Sequence, residues 1–113
     1  MFVRKIPKRF LIHSVTLLEA EVGEGAFGGR TMMAKQTIRN VRVISPSRKI
    51  TVSRDNEDCT VSAVLLHQPG ISTPAAFELG GFVRWQNRDY EIVAINEQYE
   101  ADRLHHTEVS LCL

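Results

Sequence analysis

The chain has 113 residues, of which 43% are hydrophobic and 24% are charged, and its formal net charge is +1. These values are typical of one globular domain with its own core, and they exclude a disordered or membrane-embedded chain. A net charge this close to zero also excludes a strong overall field for holding nucleic acid. The apolar run near the start is too short for a signal peptide, so export by that route is not expected.

The first ten residues are basic, because they carry Arg4, Lys5, Lys8 and Arg9 and no acidic residue. Blocks this short are common in solvated termini, and basic arms also contact acidic partners. We predict a flexible basic arm over residues 1–9, ahead of the folded part of a single domain that spans residues 1–113.

Residues 10–22 predict the first strand, with Val15 and Leu17 on its buried face. Residues 37–44 are β-branched at five of eight positions and predict the second strand. A polar segment then precedes residues 59–66, which begin as an alternation and end as an apolar run. They predict a third strand that is buried on both faces at its end.

A glycine-rich stretch separates the first two strands, since residues 22–34 hold four of the seven glycines. We predict a long mobile loop there, and long loops carry contact residues unusually often. Phe27 lies at or near the tip of this loop. The candidate contact residues in it are Glu24, Phe27, Arg30, Met32 and Met33.

The last third of the chain predicts a three-stranded meander whose first turn lies at residues 86–89, where an asparagine tolerates left-handed backbone. The alternation in residues 105–113 directs Glu108 and Ser110 away from the core. Trp85 and Tyr90, near the turn, are expected in the core and at its rim. The predicted core residues of the meander are Val83, Trp85, Ile92, Val109 and Leu111.

Six strands in all predict an all-β fold, most simply a small six-stranded barrel or sandwich with a long glycine-rich loop. Residues 72–78 predict either one helical turn, capped by Thr73 with Pro74 in the first position, or an irregular loop.

Two motifs that suggest ligand chemistry do not have the right context. Residues 23–28 match the dinucleotide pattern G-x-G-x-x-G, but a strand follows where that site needs a helix, and Glu24 would repel phosphate. His105 and His106 are adjacent, and neighbouring strand residues point to opposite faces, so they are poorly placed to hold one metal ion. We expect no cofactor and no metal.

No nucleophile with a converging histidine and acid is evident, so an enzyme is not expected. Trp85, Tyr90 and Tyr99 lack the interleaved basic residues of a single-strand nucleic-acid binder. Cys59 and Cys112 are far apart in apolar strand runs, where we expect buried, reduced thiols.

The chain nevertheless resembles a known group, the small minor capsid proteins of tailed bacteriophages and prophages, which includes head-completion, head-closure and stopper proteins. The matching residues run in order along nearly the whole chain. They are Ile6-Pro7-Lys8-Arg9, His13-Ser14-Val15-Thr16, the loop at residues 23–28, Val41-Arg42-Val43 and, above all, Asp102-Arg103-Leu104-His105-His106-Thr107-Glu108-Val109.

This resemblance implies a virion protein at the head–tail junction, made in the bacterial host cytoplasm. It implies a homo-oligomeric ring, with a monomer left open for the isolated chain, that closes the portal channel after DNA packaging and provides the docking surface for the tail. The implied partners are the portal or adaptor ring and the tail proteins. Genomic DNA would pass through without sequence-specific binding, and no membrane is involved.

Two alternatives stay open at this point. A tail-terminator or tail-completion protein is also a small ring, and the sequence does not separate it from a head-closure protein. A small β-barrel module that binds nucleic acid or carbohydrate is the second alternative.

Overall fold

A computed structural model describes residues 6–22, 30–46, 48–54 and 57–113. Four of the predicted contact residues, Arg4, Lys5, Glu24 and Phe27, lie outside these ranges. Within them the chain forms one short 3-10 helix (Lys8–Phe10) and eight strands: β1 (His13–Val22), β2 (Arg30–Ile44), β3 (Thr51–Arg54), β4 (Glu57–Thr60), β5 (Ala63–His67), β6 (Phe82–Trp85), β7 (Arg88–Glu100) and β8 (Arg103–Cys112). None of the described segments is a helix long and apolar enough to cross a bilayer.

Six of the strands form one antiparallel sheet that closes on itself in the order β1-β2-β5-β8-β7-β6, and β3 and β4 form a separate hairpin. The prediction of an all-β fold with a six-stranded sheet is therefore confirmed. Because every pair is antiparallel, β1, β5 and β7 run in one direction and β2, β6 and β8 in the other.

The core lies inside the closed sheet and consists of alternate side chains from its strands, as the period of two requires. Leu65 on β5, for example, is fully buried between Val43 on β2 and Val109 on β8, its partners in the sheet. The buried members of this cluster are Val15, Leu17, Ile38, Val41, Val43, Ala63, Leu65, Val83, Tyr90, Ile92, Val109 and Leu111.

The meander is present, and its first turn is the predicted tight hairpin. Trp85 pairs with Arg88, and the two residues between them, Gln86 and Asn87, both have positive φ, at 50° and 62°. Two left-handed residues in succession match the twist of the flanking strands. Val83, Ile92, Val109 and Leu111 are buried as predicted.

Three details of the meander differ from the prediction. Trp85 is only half-buried and packs against the edge of the core, whereas Tyr90 is buried in it. Ser110 was expected on the exposed face of β8 and is buried. Cys112, two residues further along that face, is bonded to the β3–β4 hairpin, so the hairpin covers this end of β8.

The third predicted strand is two strands, because the backbone changes partners at residues 61–62. The Val61 N–H donates to Ile50 O beside the β3–β4 hairpin, and the Ser62 N–H donates to Leu111 O of β8. The predicted helical turn at residues 72–78 is absent, and the loop alternative is correct. Residues 30–34, predicted as loop, belong to β2.

The prediction of two reduced cysteines is wrong for this structure. Cys59 on β4 and Cys112 on β8 form a disulfide, although 53 positions separate them in the sequence. The cause is the β3–β4 hairpin, which folds back onto the end of the sheet where β8 finishes. Neither cysteine has a sequence neighbour that would have revealed this pairing.

A histidine at the start of β1 leads us to expect that the stability of the fold depends on pH. The Val43 N–H donates to His13 Nδ1 over 2.9 Å, and the His13 ring lies edge-on to Trp85. Burial, together with the nearby Arg42 cation, lowers the pKa of His13 below its ordinary value of 6.5. Below this value the unfolded chain takes up a proton that the folded chain does not, so the folded state loses stability as the pH falls.

We therefore expect the midpoint temperature of thermal unfolding to decrease as the pH is lowered from about 7 to about 5. His13→Asn should reduce this dependence, since an amide oxygen can accept from Val43 without titrating. Circular dichroism melts of both proteins across this range measure the effect. Equal pH slopes for the two proteins would contradict it, and His105→Gln serves as a control for the histidines of β8.

Candidate assembly surfaces

Two hairpins extend from the same end of the closed sheet. β1 pairs with β6 only as far as Leu18, and beyond it residues 19–22 of β1 pair with residues 30–33 of β2 alone. We call these residues the β1–β2 arm. β7 and β8 continue in the same way, and residues 96–100 and 103–106 are the β7–β8 arm. The alternating strand directions place both arms at one end of the closed sheet.

The two arms lie on opposite sides of the closed sheet. β2 and β7 are three strands apart in either direction around the six-stranded ring. β5 and β6 lie between the arms, one on each side. They do not extend into the arms, because β5 has only five residues and β6 only four. The described part of the molecule therefore has one extended sheet arm on each side.

The connection from β5 to β6, residues 68–81, lies between the arms and is held to β2 by hydrogen bonds. Thr73 N–H donates to Arg39 O, and Arg39 N–H donates to Thr73 Oγ1. Ser72 Oγ accepts from the Gln68 N–H and donates to Asn40 O. Asn40 has a positive φ of 56°, and this bulge turns its carbonyl toward Ser72. The connection thus acts as a fixed partner for the middle of β2.

A groove of about 260 Å³ lies between this connection and the β7–β8 arm. Its lining includes Ala75, Ile95 and Leu104, and His67 at its base contacts the edge of Phe77. His67 Nε2 donates to Thr73 O over 2.8 Å, so this histidine is occupied in holding the connection. The groove therefore has a mixed lining, since Glu97 and Thr107 also belong to it, and its histidine has a structural role.

The β7–β8 arm is acidic and exposed. Glu97, Glu100 and Asp102 lie in seven residues that end at Arg103, and Glu97 and Asp102 are exposed to solvent. Tyr99 is 58% exposed and donates its hydroxyl hydrogen to Glu97 over 2.7 Å. This bond and the adjacent charge raise the pKa of Tyr99 above its ordinary value.

β2 has the opposite charge, because its fifteen residues include Arg30, Lys35, Arg39 and Arg42 and no acidic residue. Lys35 and Arg39 are exposed. Arg42 donates to Phe10 O over 3.2 Å, which brings the 3-10 helix, with Lys8 and Arg9, beside the lower part of β2. Phe10 and Ile12 are exposed here, at 46% and 64%.

The predicted contact residues that the structure describes do not lie together in one site. Lys8 and Arg9 lie near Arg42, whereas Met32 and Met33 lie in the β1–β2 arm, about 30 Å further along β2 at the usual rise per residue. Met33 is 47% exposed. Arg30 is the first residue of β2.

The adjacent histidines are close together rather than on opposite faces. Their Nδ1 atoms are 2.7 Å apart, and His106 Nε2 lies 3.3 Å from Glu108 Oε1. The register explains this: Gln98 pairs with His106 and Tyr99 with Leu104, so His105 is an extra, bulged residue. Across the described residues, no group of three or more potential ligands is placed to hold a metal ion.

Comparison with known families decides what kind of protein this is. The family model described as "Minor capsid protein" matches residues 7–111, which is nearly the whole chain. The chain belongs to this family of phage minor capsid proteins. No curated protein and no solved structure gives a significant match.

As a minor capsid protein, the chain is a structural component of the virion and contacts other virion proteins. Within the described ranges, the arms present strand edges that no other strand pairs with. Sequence reasoning missed Arg39, Glu97 and Glu100 as contact candidates. The sign of the charges was visible in the sequence. All charged residues of the predicted strand at residues 37–44 are basic, and residues 97–102 include three acidic residues.

Proposed function

We propose that this minor capsid protein assembles as a homo-oligomeric ring at the head–tail junction, where it closes the portal channel after DNA packaging and provides the docking surface for the tail. The observation that carries the proposal is the pair of arms on opposite sides of a closed, all-β body. A subunit of a cyclic ring contacts one neighbour with one side and the next neighbour with the other.

The body of the subunit also suits a ring around DNA. Among the described residues, closure pairs the strand edges of the six-stranded sheet below the arms, so the free edges of this sheet lie in the arms. The net charge of +1 lets DNA pass without strong general binding. In this proposal the portal or adaptor ring contacts one end of the ring and the tail proteins contact the other, with Lys8 and Arg9 as candidate contacts.

Removal of the gene from the phage or prophage that carries it tests this position. We expect heads that package DNA, then lose it and carry no tails, while tails of normal length accumulate separately. Gold-labelled antibodies against the protein should mark the junction in complete particles. DNA-filled heads together with tails of abnormal length would instead identify a tail terminator, and labelling elsewhere on the head would exclude both roles.

A further inference from the structure

We propose that β7 of one subunit pairs with β2 of the next, so that the β7–β8 arm and the β1–β2 arm form one continuous antiparallel sheet between neighbours. The inference rests on the ring proposed above and names the surfaces that form it. The partner is a second copy of this chain, and the argument depends on strand edges, strand direction and charge.

Both strands have a free edge in the arms. β6 pairs with β7 as far as Glu91, and Ile92 then exchanges hydrogen bonds with Gly80 and Gly81. Past this point no described strand pairs with that edge of β7 over residues 93–100. The corresponding edge of β2 pairs with β5 only from Arg42, and over residues 30–35 it likewise has no partner strand among the described residues. Unpaired edges of this length readily accept another strand.

Strand direction favours this pair. β2 and β7 run in opposite directions within one subunit. Rotation about a ring axis preserves the direction of each strand relative to that axis, so β7 of one copy meets β2 of the next copy antiparallel. Antiparallel pairing is also the arrangement of every other pair in the sheet, and the two arms extend from the same end.

Charge selects β2 rather than β1 as the accepting strand. Glu97 on β7 is exposed and would lie beside the free edge of β2 in the next copy, where Lys35 is exposed. β1 carries Glu19, which is exposed in the same arm and would repel the acids of β7. Opposite charges across an antiparallel pair stabilise it, and like charges destabilise it.

Charge reversal with exchange tests the pairing in solution. Sedimentation velocity of the full-length chain at low ionic strength should show association that weakens in high salt. E97K and K35E should each weaken self-association by roughly tenfold. An equimolar mixture of the two variants should associate again, because the reversed arm of one then meets the reversed strand of the other.

Matched controls lie in segments away from the arms, at exposed positions with the same change of charge: E57K on β4 and K49E before β3. These should associate like the unmodified chain. Hydrogen exchange should slow over residues 93–100 on association, which a contact through side chains alone would not produce. Circular dichroism melts verify that each variant is folded.

Three results would overturn the pairing: an unmodified chain that stays monomeric at high concentration and low salt, controls that lose association equally, or a mixture that stays dissociated. These measurements of self-association are independent of the particle experiment, because the solution contains no heads or tails. Association by this edge with no labelling at the junction would keep the interface and reject the proposed position.

Discussion

Leu65→Ala is expected to lower the free energy of unfolding by about 3 kcal/mol, within the range of about 2–5 kcal/mol for leucine-to-alanine changes in cores. Leu65 is fully buried and lies at the centre of β5, between Val43 and Val109. Because the sheet is closed, the surrounding side chains cannot collapse freely into the space that the alanine leaves. Much of the cavity would therefore remain.

Urea unfolding followed by tryptophan fluorescence measures this change, since Trp85 packs against the core. The matched control is Leu79→Ala, which removes the same atoms from a side chain that is 67% exposed. It should change the free energy of unfolding by less than about 0.5 kcal/mol. Similar losses for both variants would show that Leu65 does not lie in the core.

Cys59→Ser should lower the free energy of unfolding of the oxidised protein by about 2–4 kcal/mol. The bond between Cys59 and Cys112 closes a segment of 53 positions, and opening it restores conformational freedom to the unfolded chain. Chain entropy for a loop of this length predicts about 4 kcal/mol as a guide. Cys112 is buried and would remain as a small apolar side chain.

The unmodified chain provides the control for this change, because a reductant should bring its stability down to that of Cys59→Ser and should leave the variant unaffected. Thermal melts with and without dithiothreitol measure both. A chain that melts identically in the two conditions would indicate two thiols, as the sequence suggested. Phage particles leave the reducing cytoplasm of the host, and outside it a disulfide persists.

The features that are best predicted from the sequence are those set by residues close together in the chain. The first turn of the meander needs left-handed backbone at adjacent residues, and Asn87 signals it directly. The buried positions Val83, Ile92, Val109 and Leu111 follow from a period of two over short strands. These features depend on neighbours within a few positions, so a single sequence is enough to find them.

What the sequence does not predict depends on distant partners. The β3–β4 hairpin is polar, and it is held by a disulfide and by contacts at the end of the sheet. The backbone changes its partner strand at Val61 and Ser62 without interrupting the alternation of apolar and polar residues, so the sequence does not show this change. Nothing in the sequence distinguishes His105 from an ordinary strand residue, and only the register with β7 shows that it is bulged.

The contact role of the predicted surface residues stays a prediction. Met33 is exposed, but it lies in a strand, because residues 30–34 of the predicted loop belong to β2. The acidic residues of the β7–β8 arm were not among the predicted contact residues, because the sequence alone does not show which strands lie on opposite sides of the closed sheet. Only the order of strands around the closed sheet shows that Glu97 and Arg39 lie on opposite sides.

The strand order also has a consequence for synthesis of the protein. β8 lies between β5 and β7, and it follows all five other strands of the sheet along the chain. Before β8 leaves the ribosome, the nascent chain can form at most an open five-stranded sheet, with β5 and β7 as its two bare edges. Closure therefore comes late, and a ribosome that stalls before residue 103 releases a product prone to strand-to-strand aggregation.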